Sequence, residues 1–106
     1  IQAYERARQL EREGKLEEAE QELRKAIAFD PYDTLNTIKL AAILGELGRT
    51  QEAIALYKKA AEMDSQDPAI LFSLGALYEQ MGDYPNAEAT YRRGVAKHPG
   101  YGYGSF

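Results

Sequence analysis

The stretch LGALYEQMGDYPNAEATY, residues 74–91, decides the fold. Leu74, Leu77 and Tyr78 recur at helical spacing, the run breaks at Gly82, and Ala87 and Tyr91 resume it. The same sentence is written twice more upstream, as LAAILGELGRTQEAIALY at 40–57 and RARQLEREGKLEEAEQEL at 6–23. Gly14, Gly48 and Gly82 therefore stand 34 residues apart. Ala19, Ala53 and Ala87 keep the register, as do Ala26, Ala60 and Gly94, and Pro31, Ser65 and Pro99 close the units. A fixed period of this length marks an array of stacked units in which no unit buries its own apolar face.

Working outward, the units run over about 1–33, 34–67 and 68–101, each reading as helix, tight turn, helix. Asp33 and Asp67 are expected to cap the first helices of the second and third units, with Pro68 at the first helical position. Thr50 and Asp83 are the candidate caps for the second helices. Each repeat glycine suits the left-handed residue that ends a helix. Nothing in 1–99 reads as strand or linker. Residues 100–106, Gly-Tyr-Gly-Tyr-Gly-Ser-Phe, read as a flexible tail, because each glycine costs a helix ~1 kcal/mol relative to alanine. Tyr101, Tyr103 and Phe106 offer a second reading, docking on exposed apolar surface.

The 106 residues suffice for one domain with one continuous core. A formal charge of −4 and the lack of a basic stripe argue against nucleic acid as a partner. The absence of cysteine excludes disulfides and thiolate metal sites. No apolar run approaches the ~20 residues that cross a bilayer, so no membrane contact is expected of this segment. The chain opens at Ile1 without an initiator methionine and reads as a processed product or a piece of a longer protein. The compartment stays open: the cytoplasm is favoured, beside a periplasmic or membrane-tethered parent.

The pattern resembles the tetratricopeptide repeat. The third unit matches through Leu74, Gly75, Tyr78, Gly82, Asp83, Tyr84, Ala87, Tyr91 and Pro99. The second matches through Leu40, Ala41, Leu44, Gly48, Ala53, Tyr57 and Ala60. The first matches through Ala7, Leu10, Gly14, Leu16, Ala19, Leu23, Ala26 and Pro31. The resemblance implies an all-α fold, a right-handed α-solenoid of three helix-turn-helix repeats. Departures are Ala3, Thr37 and Leu71 where an aromatic is usual, and Arg6 at a place normally apolar. Arg6 implies either an exposed terminus or packing against something upstream. Gly94, in place of the last small alanine, is expected to loosen the final helix, and apolar surface around Tyr91 and Val95 is expected to be left open.

No catalytic constellation is visible. His98 is the only histidine and reads as a helix C-terminal residue complementing the dipole. Glu17, Glu18, Glu20 and Glu22 read as a solvated face, with Glu20 four residues before Arg24. No phosphate loop, nucleophile motif or metal-ligand spacing appears. The chain is therefore expected to be no enzyme and to need no cofactor or metal.

Binding is the better expectation. The resemblance implies that the first helix of each unit lines a concave groove. Carried over, its residues are Tyr4, Glu5, Arg8, Glu11 and Arg12, then Leu35, Ile38, Lys39, Ala42 and Glu46, then Ala69, Phe72, Ser73, Ala76, Glu79 and Gln80. Among these the peptide-binding set is Tyr4, Arg8, Leu35, Ile38, Lys39, Ala42, Phe72, Ser73, Ala76 and Glu79. Ile38 and Phe72 are large and apolar, and either pack between neighbouring first helices or offer an apolar strip to an amphipathic helix or extended peptide. Some family members grip acidic chaperone tails with cations and amides at positions that correspond here to Tyr4, Arg8, Lys39, Ala69 and Ser73. Lacking the third-unit cations, this chain is expected to form no such clamp. The expected function is a non-catalytic scaffold that binds a protein or peptide partner in assembly or recruitment. The alternative is a self-association module, a weak homo-oligomer joined through open repeat ends and the aromatic tail.

Overall fold

The computed structural model describes residues 2–64 and 67–97. Ser65, His98, Pro99 and the 100–106 tail lie outside the described residues, and so do the expectations placed on them. Among the described residues there are six helices and no strand: α1 Gln2–Arg12, α2 Leu16–Phe29, α3 Thr34–Glu46, α4 Thr50–Met63, α5 Pro68–Gln80 and α6 Tyr84–Lys97. Each helix packs on the next in the chain, and α1 also touches α3. The result is an α-solenoid of three helical hairpins.

The turns inside the hairpins share one geometry. Gly14, Gly48 and Gly82 have φ of +78°, +83° and +78°, and no other described residue has positive φ. In each turn the glycine N–H bonds the carbonyl three residues back, Glu11, Gly45 or Glu79. The next N–H, of Lys15, Arg49 or Asp83, bonds the carbonyl five back, of Leu10, Leu44 or Tyr78, at 2.8–2.9 Å. This paired arrangement satisfies carbonyls that a helix end leaves bare, and it requires a residue without a Cβ penalty in the left-handed region.

The caps agree with the sequence in three places and differ in one. Asp33 accepts the Asn36 N–H, Asp67 accepts the Ala69 N–H ahead of Pro68, and Asp83 accepts both the backbone and side-chain N–H of Asn86. Thr50 is not a cap. It is the first residue of α4, Arg49 precedes it, and Arg49 makes no side-chain capping bond. The Arg49 guanidinium is occupied by Glu20 and Glu52 instead.

The close crossings fall where small residues recur. Ala7, Ala41, Ala19, Ala53 and Ala60 are fully buried, so helix backbones approach there. Leu10, Leu23, Leu40, Ile43, Leu44, Ile54, Tyr57, Ile70, Leu74 and Leu77 fill the spaces between hairpins in one continuous core. Gly75 is tighter still: a Cβ placed on it would stand 2.7 Å from the Tyr91 ring. Gly94 has a packing reason as well, because a Cβ there would meet the Phe72 ring at 3.3 Å. Arg6 is exposed and pairs with Glu22 at 3.8 Å.

The first two hairpins are joined by an ionic network. Glu20, nearly buried on α2, accepts Arg24 Nε and Arg49 Nη1, both at 2.8 Å. Arg49 also forks onto Glu52, at 2.7 and 3.0 Å.

Candidate functional site

The first helices α1, α3 and α5 present their outward faces side by side. Between α3 and α5 lies a cleft of about 430 Å³, lined by Ala41, Ala42, Gly45, Glu46, Tyr57, Ser73, Ala76, Leu77 and Gln80. It exists because Ala42, Gly45 and Ala76 contribute almost no side chain. Its floor is the Tyr57 ring, which rises from α4 and is 7% exposed. The Tyr57 hydroxyl faces Ser73 of α5. Burial pushes the phenol's pKa up, so it stays a neutral hydroxyl.

Of the residues expected on the first-helix faces, Ala42, Glu46, Ser73, Ala76 and Gln80 share this cleft. Tyr4 and Lys39 meet beside it, with Lys39 Nζ 5.9 Å from the Tyr4 ring centroid. Arg8 is exposed on α1 and Leu35 is 58% exposed in the first turn of α3. Ile38 is half-buried and packs against the core. Two residues are directed elsewhere. Phe72 packs toward α6, against Gly94 and with its ring centroid 6.0 Å from that of Tyr91. Glu79 accepts the Tyr91 hydroxyl and borders a separate depression of about 570 Å³ with Tyr84, Pro85, Glu88 and Arg92. Tyr91 and Val95 are both half-buried.

Sequence reasoning missed Tyr57 and Gly45. Tyr57 reads as core from its helical spacing, and it is core. It also reaches the cleft because the residues above it are small. The signal was available in the coincidence of Gly45 and Ala76 on facing helices, which only the packing of α3 beside α5 brings together.

The groove's charges are largely organised by one cluster. Lys39, whose side chain is 16% exposed, forms an ion pair with Glu11. The Glu46 carboxyl of α3 faces that of Glu11. This contact, then Lys39, holds the Glu11 carboxyl below the usual carboxylate range, whereas the same contact and burial push Glu46 up. Among the described residues no group of acidic and histidine side chains is placed to hold a metal ion, and no helix is long and apolar enough to cross a membrane.

Comparison with known proteins places this geometry. The tetratricopeptide repeat family matches over residues 44–103 and again over 3–33. The chain belongs to the tetratricopeptide repeat family. Among solved structures it is similar to the Yersinia enterocolitica type III secretion chaperone SycD in complex with a peptide of the translocator YopD. That match has a TM-score of 0.87 and 25% identity over 94% of this chain and 76% of SycD. PcrH in complex with the chaperone-binding region of PopD matches with a TM-score of 0.83 and 26% identity, over 91% of this chain and 72% of PcrH. MamA shares the fold at a TM-score of 0.85 and 19% identity, over 93% of this chain and 58% of MamA. No curated protein matches significantly by sequence.

Proposed function

We propose that this chain is a non-catalytic interaction scaffold that holds a peptide segment or helix of another protein against α1, α3 and α5. Its role is assembly or recruitment within a larger complex. The observation that carries the reading is the cleft over Tyr57: an aromatic floor, walls rich in alanine and glycine, and a few polar groups, the Tyr57 hydroxyl with Glu46, Ser73 and Gln80. Such a site seats one bulky apolar side chain and orients its neighbours. SycD was solved in complex with a peptide of the translocator YopD, and PcrH with the chaperone-binding region of PopD, which supports a peptide as the guest here. The groove set is Tyr4, Arg8, Leu35, Ile38, Lys39, Ala42, Ser73 and Ala76, enlarged by Tyr57 and Gly45. Phe72 and Glu79 turn toward α6 and are left out of it.

Leu35 and Ala76 are both exposed, so changing them spares the core. A pull-down with the wild-type chain as bait should recover partners that a Leu35→Glu, Ala76→Glu double variant loses. Equal recovery by both baits would remove the groove from consideration.

A further inference from the structure

The cleft between α3 and α5 is apolar along its walls and polar at a few fixed points. Ala42, Gly45 and Ala76 leave about 430 Å³ over the Tyr57 ring, room for an aromatic side chain. The hydroxyls of Tyr57 and Ser73 face each other there, and burial keeps the phenol protonated. Two hydroxyls bring two protons, and only one of these can serve the contact between them. One O–H and several lone pairs are left over. Among the described residues, Asn36 Oδ1 is the one buried side-chain oxygen or nitrogen without a partner. What the two hydroxyls do not give each other therefore comes from solvent in the cleft. Charge narrows the choice of guest further. Among the described residues no lysine or arginine lines the cleft, so a carboxylate would find no counter-ion. Glu46, its one carboxylate, faces Glu11 on α1, which pairs with Lys39. A cationic guest would thus lie over neutral hydroxyls.

Resting on the groove reading above, we propose that the bulky side chain this cleft selects is a tyrosine of the guest segment. Its ring lies over Tyr57 between the alanine and glycine walls, where offset aromatic pairs are favourable. Its hydroxyl both donates and accepts, so it replaces solvent on the Tyr57 and Ser73 hydroxyls, with Gln80 at the rim. A phenylalanine or leucine would strip the same hydroxyls of solvent and offer nothing back. Leaving a desolvated hydroxyl without a partner costs more than one made hydrogen bond gains. A tryptophan donates but does not accept, so the spare O–H stays bare. A site that hydrogen-bonds its guest's hydroxyl rejects the analogue lacking it more sharply than a hydrophobic pocket discriminates by size.

The test titrates the N-acetyl amides of tyrosine, phenylalanine, tryptophan and lysine into the full chain and follows the backbone amide signals of Ala42, Gly45, Ser73 and Ala76 by NMR. The tyrosine amide should bind roughly three- to tenfold tighter than the phenylalanine amide, with tryptophan between them and lysine weakest. Ser73→Ala and Tyr57→Phe each remove one hydroxyl and keep the shape of the cleft. Each should bring tyrosine to within about twofold of phenylalanine without weakening phenylalanine. Ala76→Trp, which fills the cleft, should abolish the shifts for all four ligands. Circular dichroism checks that each variant keeps its helices. A phenylalanine or lysine amide that binds as tightly as the tyrosine amide overturns the assignment and leaves the groove standing, and so does a tyrosine preference that survives both hydroxyl deletions. If no ligand moves these signals, or they still move in Ala76→Trp, the groove reading falls and this inference falls with it.

Discussion

Arg49, in the turn before α4, reaches back across the hairpin junction and donates to Glu20 of α2 at 2.8 Å. Burial of Glu20 pushes its carboxyl up, but hydrogen bonds from Arg24 and Arg49 outweigh this and hold it below its ordinary value. A carboxyl depressed in the folded state stabilises the fold above its unfolded pKa, near 4.5, and that contribution fades as pH falls through the lower folded value. Glu20→Gln should therefore lose about 1 kcal/mol at neutral pH, discounted for the half-exposed arginines. Urea titrations of both proteins at several pH values check this. The gap between them should close below pH 4.5, and a gap that widens in acid would contradict the network.

Glu46, which faces Glu11, gives the opposite sign. Glu46 is raised by its contact with Glu11, so its contribution is complete below about 4.5 and is lost as pH rises through the raised folded value. At neutral pH two carboxylates face each other across α1 and α3. Glu46→Gln keeps a donor to Glu11 at every pH, and should raise the denaturation midpoint at pH 7, equivalent to a few tenths of a kcal/mol in unfolding free energy. The gain should vanish near pH 4, where the wild-type pair shares a proton. A midpoint that drops at pH 7 would show that the pair does not repel.

The two buried glycines of the last hairpin should respond differently to alanine. At Gly75 the new methyl meets the Tyr91 ring at 2.7 Å and forces α5 and α6 apart, a cost of ~1–3 kcal/mol. At Gly94 the contact with Phe72 is 3.3 Å, and alanine's helix propensity returns up to ~1 kcal/mol, so the change should be close to neutral. Thermal melts of the two variants side by side give the ordering directly.

Ala53 is fully buried at the crossing of α3 and α4. Ala53→Leu should overpack it at a cost of ~1–3 kcal/mol. An unchanged melting temperature would mean that the second hairpin has slack its burial does not reveal.

The period, the turns and the close crossings were legible in the sequence because each depends on one residue's local demand. Gly48 needs a left-handed backbone whatever surrounds it, and Ala53 leaves room whatever passes over it. Asp67 followed by Pro68 states a helix start in two letters. The Arg49 position was misread because Thr50 looks like a cap in isolation, while the glycine turn already satisfies the backbone there and frees Arg49 to reach Glu20, 29 residues away. The groove was legible as a set of first-helix faces. Its depth was not. That depth is set by Tyr57 beneath, Gly45 on one wall and Ala76 on the other, three residues on three helices that no short pattern links. Phe72 was read from its place on α5 alone, and its lean toward Gly94 belongs to α6.

Tyr57 is both a beam of the body and the ground on which a guest would stand. Its ring seals the seam between the second and third hairpins, and its hydroxyl faces Ser73 across it. Pressing on the seat thus presses on the joint. An occupant would clamp the neighbouring hairpins together, and any loosening of that joint would unseat the occupant, so grip and rigidity rise and fall as one quantity.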